Sequence, residues 1–100
     1  MRIIFSPEAE ADLESIGDYI ALDNPFRALS FTQQMRAACT ELAEHPRRFE
    51  RLDRSRQREM RRRVFQTYLI VYEVLETQVS IVRIIHGAMD QDALFGDTDF

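Results

Sequence analysis

The sequence predicts an α+β domain: an N-terminal strand, an α-hairpin, then an antiparallel sheet of three to four strands and a short C-terminal helix or tail. Three observations predict it. Ser6-Pro7 and Asn24-Pro25 each place a capping side chain before a proline, the signature of a helix start. Past Phe49 the hydrophobic period shortens from that of a helix to that of a strand. The later apolar runs are separated by only a few residues, too few for anything but antiparallel neighbours.

Residues 2 to 5, RIIF, form the first strand. In the helix that follows, Ala9, Leu13, Ile16 and Ile20 recur at helical spacing, while Glu10, Asp12, Glu14 and Asp18 fall largely elsewhere around it. Ala28, Phe31, Met35, Ala38, Cys39 and Leu42 make the apolar stripe of the second helix. His45-Pro46 closes that helix, with His45 in its last turn able to meet a free carbonyl. The short loop between the two helices makes them a hairpin. MRRRVF at 60 to 65, YLIVYEVL at 68 to 75 and VSIVRIIH at 79 to 86 are rich in β-branched and aromatic residues and read as strands. Glu76 and Thr77 are weak turn formers and leave the register of the last two strands open. Gly87 ends the last strand, and residues from about 88 to 100 form a C-terminal segment.

Strand alternation puts Tyr68, Ile70, Tyr72 and Val74 on one face and Leu69, Val71 and Leu75 on the other. Two helices cover one face of a small sheet but hardly both. Either another chain covers part of the second face, which is the expectation favoured here, or the segment from Ala88 to Phe100 folds back over it.

One hundred residues suffice for one domain, spanning 1–100, with a core of its own. At 45% hydrophobic and 30% charged, with ten aromatic residues, the chain is an ordinary globular sequence, not a disordered one. Cys39, the one cysteine, allows no internal disulfide and reads as an inert core thiol. No metal or cofactor motif is present, no run is long enough to cross a bilayer, and MRIIFSPEAEAD does not read as a signal peptide. A cytoplasmic protein with no membrane partner is expected.

Charge is segregated. All thirteen basic residues are arginine. Nine of them lie between Arg47 and Arg63 against three acids, a local charge of +6, whereas the other 83 residues hold four arginines and fourteen acids, or −10. Arg54, Arg56 and Arg58 stand among polar residues and read as a solvated loop. Arg61, Arg62 and Arg63 sit on a strand, Arg62 sharing a face with Met60 and Val64, Arg61 and Arg63 sharing the other with Phe65. Arginines fixed on a sheet lose less entropy on binding an anion than arginines on a loop. Phosphate and carboxylate both suit them; the negative remainder of the chain repels a long duplex and favours an acidic peptide.

SPEAEADLESIGDYIALDNPFRA, then YLIVYEV, then VSIVRIIHGAMD resembles the ParE branch of the RelE/ParE superfamily of toxins from type II toxin–antitoxin systems. The resemblance runs from about Ile3 to Asp90. It rests on Ala9, Asp12, Leu13, Ile16 and Tyr19, on Tyr72, and on the run from Arg83 to Gly87. It departs at Met89, where a basic residue is common, and at HPRRFERL, where many members have a glycine. The resemblance implies a growth-arresting toxin silenced by a cognate antitoxin. The antitoxin's C-terminal segment wraps the toxin, and its N-terminal domain binds operator DNA. ParE-type members stall DNA gyrase; RelE-type members cut messenger RNA on the ribosome.

Metal-free RNA cleavage needs a base, cations for the phosphorane and an acid for the leaving oxygen. Arginines abound here, but lysine is absent, no tyrosine follows Tyr72, and His86 and Glu59 are the only candidate acids or bases near the sheet. A histidine at a strand end more often makes a structural hydrogen bond. The chain therefore reads as a non-enzyme that acts by binding gyrase. The runner-up is a RelE-type ribonuclease using Arg62, Arg63 and His86, and a third reading is a non-toxic descendant that only binds antitoxin. The residues expected to meet antitoxin or target are Arg61, Arg62, Arg63, Arg83, Tyr68, Tyr72, Leu13 and Ile16, with the antitoxin on the exposed sheet face and along the hairpin.

Overall fold

The computed structural model describes residues 1–52 and 57–87. Its order is β1 (Arg2–Phe5), α1 (Pro7–Ala21), α2 (Pro25–Thr40), a single 3-10 turn at Glu41–Ala43, then β2 (Glu50–Leu52), β3 (Glu59–Phe65), β4 (Tyr68–Val74) and β5 (Gln78–His86). The class is α+β, as expected. The sheet has five strands rather than three or four, in the order β1-β5-β4-β3-β2, and it is mixed. β1 lies parallel to β5, Arg2 opposite Gln78 and Phe5 opposite Ile81. Parallel neighbours need a long crossover, and the helix hairpin with the rest of the sheet supplies it. The extra strand β2 is three residues long, too short for its alternation to show in the sequence.

Both helix starts form as the sequence predicts. Ser6 Oγ accepts from the Ala9 amide at 3.0 Å, and Asn24 Oδ1 accepts from the Arg27 amide at 3.0 Å. α2 ends earlier than His45. Its final turn tightens, and the Ala38 carbonyl takes a hydrogen bond from Arg63 Nη1 at 2.7 Å, the role the sequence assigned to His45.

The turn between β4 and β5 fixes the register that Glu76 and Thr77 left open. The Leu75 amide donates to the Gln78 carbonyl, and Val74 stands opposite Val79. Two pairs further along, the ladder slips: Tyr72 faces Ile81 but Val71 faces Arg83, so Val82 is a bulge. α1 takes up what the bulge sets loose. Ser6 Oγ donates to the Val82 carbonyl at 2.7 Å, and the Asp12 carboxylate accepts from the Ile84 amide at 2.9 Å. β1 stops at Phe5, so without Asp12 the Ile84 amide would lack a strand partner.

The core lies between the hairpin and one sheet face. Leu13, Ile16, Phe31, Met35 and Leu42 pack there against Ile70, Tyr72, Val74, Val79, Ile81 and Ile84. The alternation read along β4 is the observed one. On the opposite face Met60, Leu69 and Val71 are buried within the chain, so its centre is not a bare patch awaiting a partner. The alternative cover, residues 88–100, lies outside the described residues. Among the described residues the most exposed large apolar side chains are Phe26, Leu22, Tyr19, Val64 and Leu29; Val64 lies on this second face, and the other four lie around the hairpin tip.

Asp12→Ala removes three acceptor contacts in a partly buried setting, those from the Ile84 amide and from Arg83 Nε and Nη2. We expect a loss of about 2–4 kcal/mol in urea unfolding. Arg83→Ala, which leaves the amide bond intact, should cost less than half of that.

Candidate binding surface: the arginines of β3 and β5

β3 pairs with β2 and β4 on its two edges, which fixes the direction of every arginine it carries. Arg61 and Arg63 point to the helix side, where Phe65 also points. Arg62 points to the other side with Met60 and Val64, opposite Val71 of β4 and Glu50 of β2. The sequence placed all of these correctly. It did not foresee that each arginine is already engaged.

Arg61 Nε contacts Glu59 at 2.8 Å and its Nη1 donates to the Phe49 carbonyl at 2.7 Å. Arg47 reaches the same Glu59 carboxylate from the loop before β2, at 3.0 Å. Arg63 Nη1 bridges the Ala38 carbonyl and the Glu41 carboxylate, with its guanidinium 4.9 Å from the centre of the Phe49 ring. Arg62 Nε meets Glu50 at 2.9 Å. Arg58 forms a two-pronged pair with Glu73, also on the face of Met60. Arg58 is therefore an anchored residue rather than the free loop cation the sequence suggested. Arg54 and Arg56 lie outside the described residues.

The partners differ in exposure. Arg62 and Arg63 have side chains 28% and 17% exposed, whereas Glu50 and Glu41 are 64% and 66% exposed. The guanidiniums are held in place by the sheet; their carboxylates come from outside and can be displaced. Glu59 is different, being enclosed between Arg47 and Arg61. Burial acts to raise its pKa, but hydrogen bonds from Arg61 and Arg47, together with their charges, outweigh burial and hold the carboxyl below its ordinary value.

The other expected residues divide clearly. Leu13 and Ile16 are core residues of α1, packed against the sheet. Tyr72 is 0% exposed; its hydroxyl donates to the Pro46 carbonyl at 2.7 Å, and burial pushes its pKa up to about 12. These three offer no surface to a partner in this fold. Their sequence signal, apolar or aromatic residues at helix and strand spacing, is shared by core and interface. Tyr68 is half-buried, its ring 5.4 Å from Phe31 and edge-on to His86 at 5.1 Å. Burial, with Tyr19 nearby, raises its pKa also. Arg83 is tied to Asp12 at 2.7 Å and 3.0 Å, and that bond raises its pKa further.

Arg62, Arg63 and His86, the ribonuclease set, do not converge. Arg62 and Arg63 are adjacent on a strand and so point to opposite faces. His86 shares the face of Arg63 but stands two strands away, beyond the cluster of Phe31, Phe65 and Tyr68. Among the described residues no group of histidine, cysteine and carboxylates could hold a metal ion, and no helix is long and apolar enough to cross a membrane.

Glu59 gives the surface a measurable acid limit. A carboxyl whose folded pKa is depressed stabilises the fold above its unfolded pKa, about 4.5, and that contribution fades as pH falls through the folded value. Glu59→Gln should cost about 1–2 kcal/mol at pH 7 and flatten the loss of stability below about pH 4.5, read from thermal melts between pH 3 and 7. An unchanged pH profile would mean that Glu59 does not hold Arg61 and Arg47.

Comparison with known proteins places this architecture. Residues 3–91 match the model of the ParE toxin of the type II toxin–antitoxin system parDE. Toxin RelE2 of Caulobacter vibrioides is 37% identical over 87 residues, which cover 87% of this chain and 96% of that protein. A solved structure described as a chromosomal ParDE TA system from P. aeruginosa superposes with a TM-score of 0.70 at 22% identity, covering 86% of this chain and 95% of that one. That likeness establishes the shared fold. With the family match spanning nearly all the described residues, the chain belongs to the ParE family of type II toxin–antitoxin toxins.

Proposed function

We propose that this toxin acts by binding DNA gyrase rather than by cutting RNA. A cognate antitoxin silences it by laying an acidic segment over the β3 arginines. The observation that carries the proposal is the asymmetry of those ion pairs: half-buried guanidiniums positioned by the sheet, with exposed glutamates as their present partners. An antitoxin carboxylate replaces Glu50 or Glu41 at little cost, because surface ion pairs contribute at most about 1 kcal/mol. The arginines themselves need no reordering, which lowers the entropic cost of binding. The antitoxin's own N-terminal domain would carry operator DNA, so this chain meets that DNA only indirectly. The separation of Arg62, Arg63 and His86 supports binding over catalysis. The name of the Caulobacter relative keeps RelE-type cleavage as the second reading.

Purified gyrase and relaxed plasmid test the target. Added free of antitoxin, this protein should abolish supercoiling and accumulate cleaved DNA. Unchanged supercoiling, with messenger RNA cut on translating ribosomes, would replace the proposal by the second reading. The antitoxin surface is tested separately by titration. Affinity should fall steeply with salt, and Arg62→Ala should weaken binding roughly tenfold and flatten the salt slope. Glu50→Gln should tighten it, because one internal competitor for Arg62 is weakened. A flat salt profile in the unmodified protein would remove the acidic antitoxin segment from the arginines.

A further inference from the structure

Most arginines of the described residues are paired with carboxylates of this chain, but Arg48 and Arg51 are not. Neither joins an ion pair among the described residues, and both are exposed. The loop before β2 that carries Arg48 is fixed from beneath. Tyr72 donates its hydroxyl to the Pro46 carbonyl at 2.7 Å, and Arg61 Nη1 donates to the carbonyls of Arg47 and Phe49 at 3.3 Å and 2.7 Å. The Arg48 guanidinium lies 5.6 Å from the centre of the Phe49 ring. Arg51 stands in register opposite Arg61, cation beside cation. Like charges so placed across strands are destabilising, and an anion beside Arg51 relieves the pair. Arg47, although bound to Glu59, is 59% exposed. This end of the molecule therefore presents three guanidiniums within five residues on a backbone held by side-chain bonds. The acids around it leave that charge standing. Glu41, Glu50 and Glu59 are matched by Arg63, by Arg62 and by Arg47 with Arg61, while Glu44 shares a hollow with Arg48 without an ion pair.

We propose that this end of the sheet grips the phosphate backbone of double-stranded DNA, Arg48 and Arg51 each meeting a phosphate and Arg47 supplying an outer contact. The inference deepens the gyrase reading and rests on it for its setting, since gyrase holds the duplex that the toxin touches. Magnitude selects phosphate over carboxylate. An exposed arginine gains at most about 1 kcal/mol from a lone carboxylate. Contacts along a duplex release condensed counterions at every phosphate neutralised. The nearest large apolar residues in the chain, Phe49 and Leu52, are both half-buried, which leaves a folded partner little to pack on. Phosphate contacts need only positioned cations. The acidic remainder of the chain does not forbid the contact. Glu8, Glu10, Asp12, Glu14 and Asp18 stand on α1, which is bonded to β5. β2 lies three strand spacings from β5, or about 14 Å. That exceeds the roughly 8 Å over which exposed charge is felt at physiological ionic strength. The same separation turns the molecule basic end first toward a polyanion.

Fluorescence anisotropy with a labelled DNA duplex of about 24 base pairs tests the contact. The full chain, free of antitoxin, should bind whatever the base sequence. Two to three phosphate contacts predict a loss of roughly ten- to fortyfold in affinity between about 50 and about 200 mM salt. Arg48→Ser plus Arg51→Ser should weaken binding roughly tenfold at about 50 mM salt and lower the salt slope by about two. Arg2→Ser plus Arg27→Ser removes the same charge elsewhere and should change binding by less than about twofold. Thermal melts verify each fold, and Arg51→Ser alone, which leaves Arg48 over Phe49, repeats the test at half the effect. Absent binding, equal losses in the two double variants, or a polyglutamate peptide binding as tightly as the duplex would overturn the proposal. So would tighter binding of single-stranded RNA, which would move the surface to the ribosomal reading. On gyrase, Arg48→Ser plus Arg51→Ser should require roughly tenfold more protein to abolish supercoiling; unchanged inhibition by that variant would also overturn the proposal. Duplex binding by an unmodified protein that leaves gyrase unaffected would uphold the phosphate contact and remove the gyrase reading alone.

Discussion

The structure depends on how α1 completes β5. β1 accompanies β5 for only four residues, and the bulge at Val82 follows at once. At that point the ladder would leave a carbonyl and an amide without strand partners inside a protein that has little room for such loss. Ser6 and Asp12 take them, Ser6 through Val82 and Asp12 through Ile84, and the same two side chains also start the helix and hold Arg83. Strand, bulge and helix are therefore one unit. The orientation of the hairpin over the sheet follows from it, and so does the layer of Leu13 and Ile16 against Ile70, Ile81 and Ile84.

The arginine-rich segment looked in the sequence like free positive charge in an acidic chain. In the fold it is the means by which the sheet, the hairpin and the loop between them are joined. Arg63 ties β3 to the end of α2, and Arg61 and Arg47 share Glu59 across the loop that leads into β2. Arginine suits this use because its fork of donors serves a carbonyl and a carboxylate at once, which a lysine ammonium does with less directional control. The absence of lysine reads naturally in this light: much of the cationic charge is structural. What is left for a partner is the outward side of these pairs, where the carboxylates are exposed and replaceable.

The parts of the fold legible in the sequence were those governed by local rules. Two serine- or asparagine-then-proline starts, the helical stripes and the alternation of β4 depend on neighbours within a few residues, and all are present. The parallel pairing of β1 with β5, the bulge at Val82 and the short β2 depend on residues distant in the chain, so no local pattern announces them. The same division holds at the surface. Strand parity correctly separated Arg62 from its two neighbours, but the identity of each arginine's partner required the tertiary fold. Leu13, Ile16 and Tyr72 were the weak point, because apolar periodicity marks a face as buried without saying whether the chain or a partner buries it.

Parity also bears on activity. Neighbouring residues of a regular strand face opposite ways, so a run such as Arg61-Arg62-Arg63 cannot gather around one phosphate unless a bulge turns one of them. The bulge in this sheet lies in β5 at Val82 and not in β3, and Arg83 beside it is held by Asp12. The three arginines of β3 instead divide between two surfaces, two bracing the hairpin side and one paired with Glu50 on the other. Such a division suits adhesion over an extended partner, where charges spread along two faces are each met in turn. It does not suit stabilisation of a single phosphorane, which needs its cations converged.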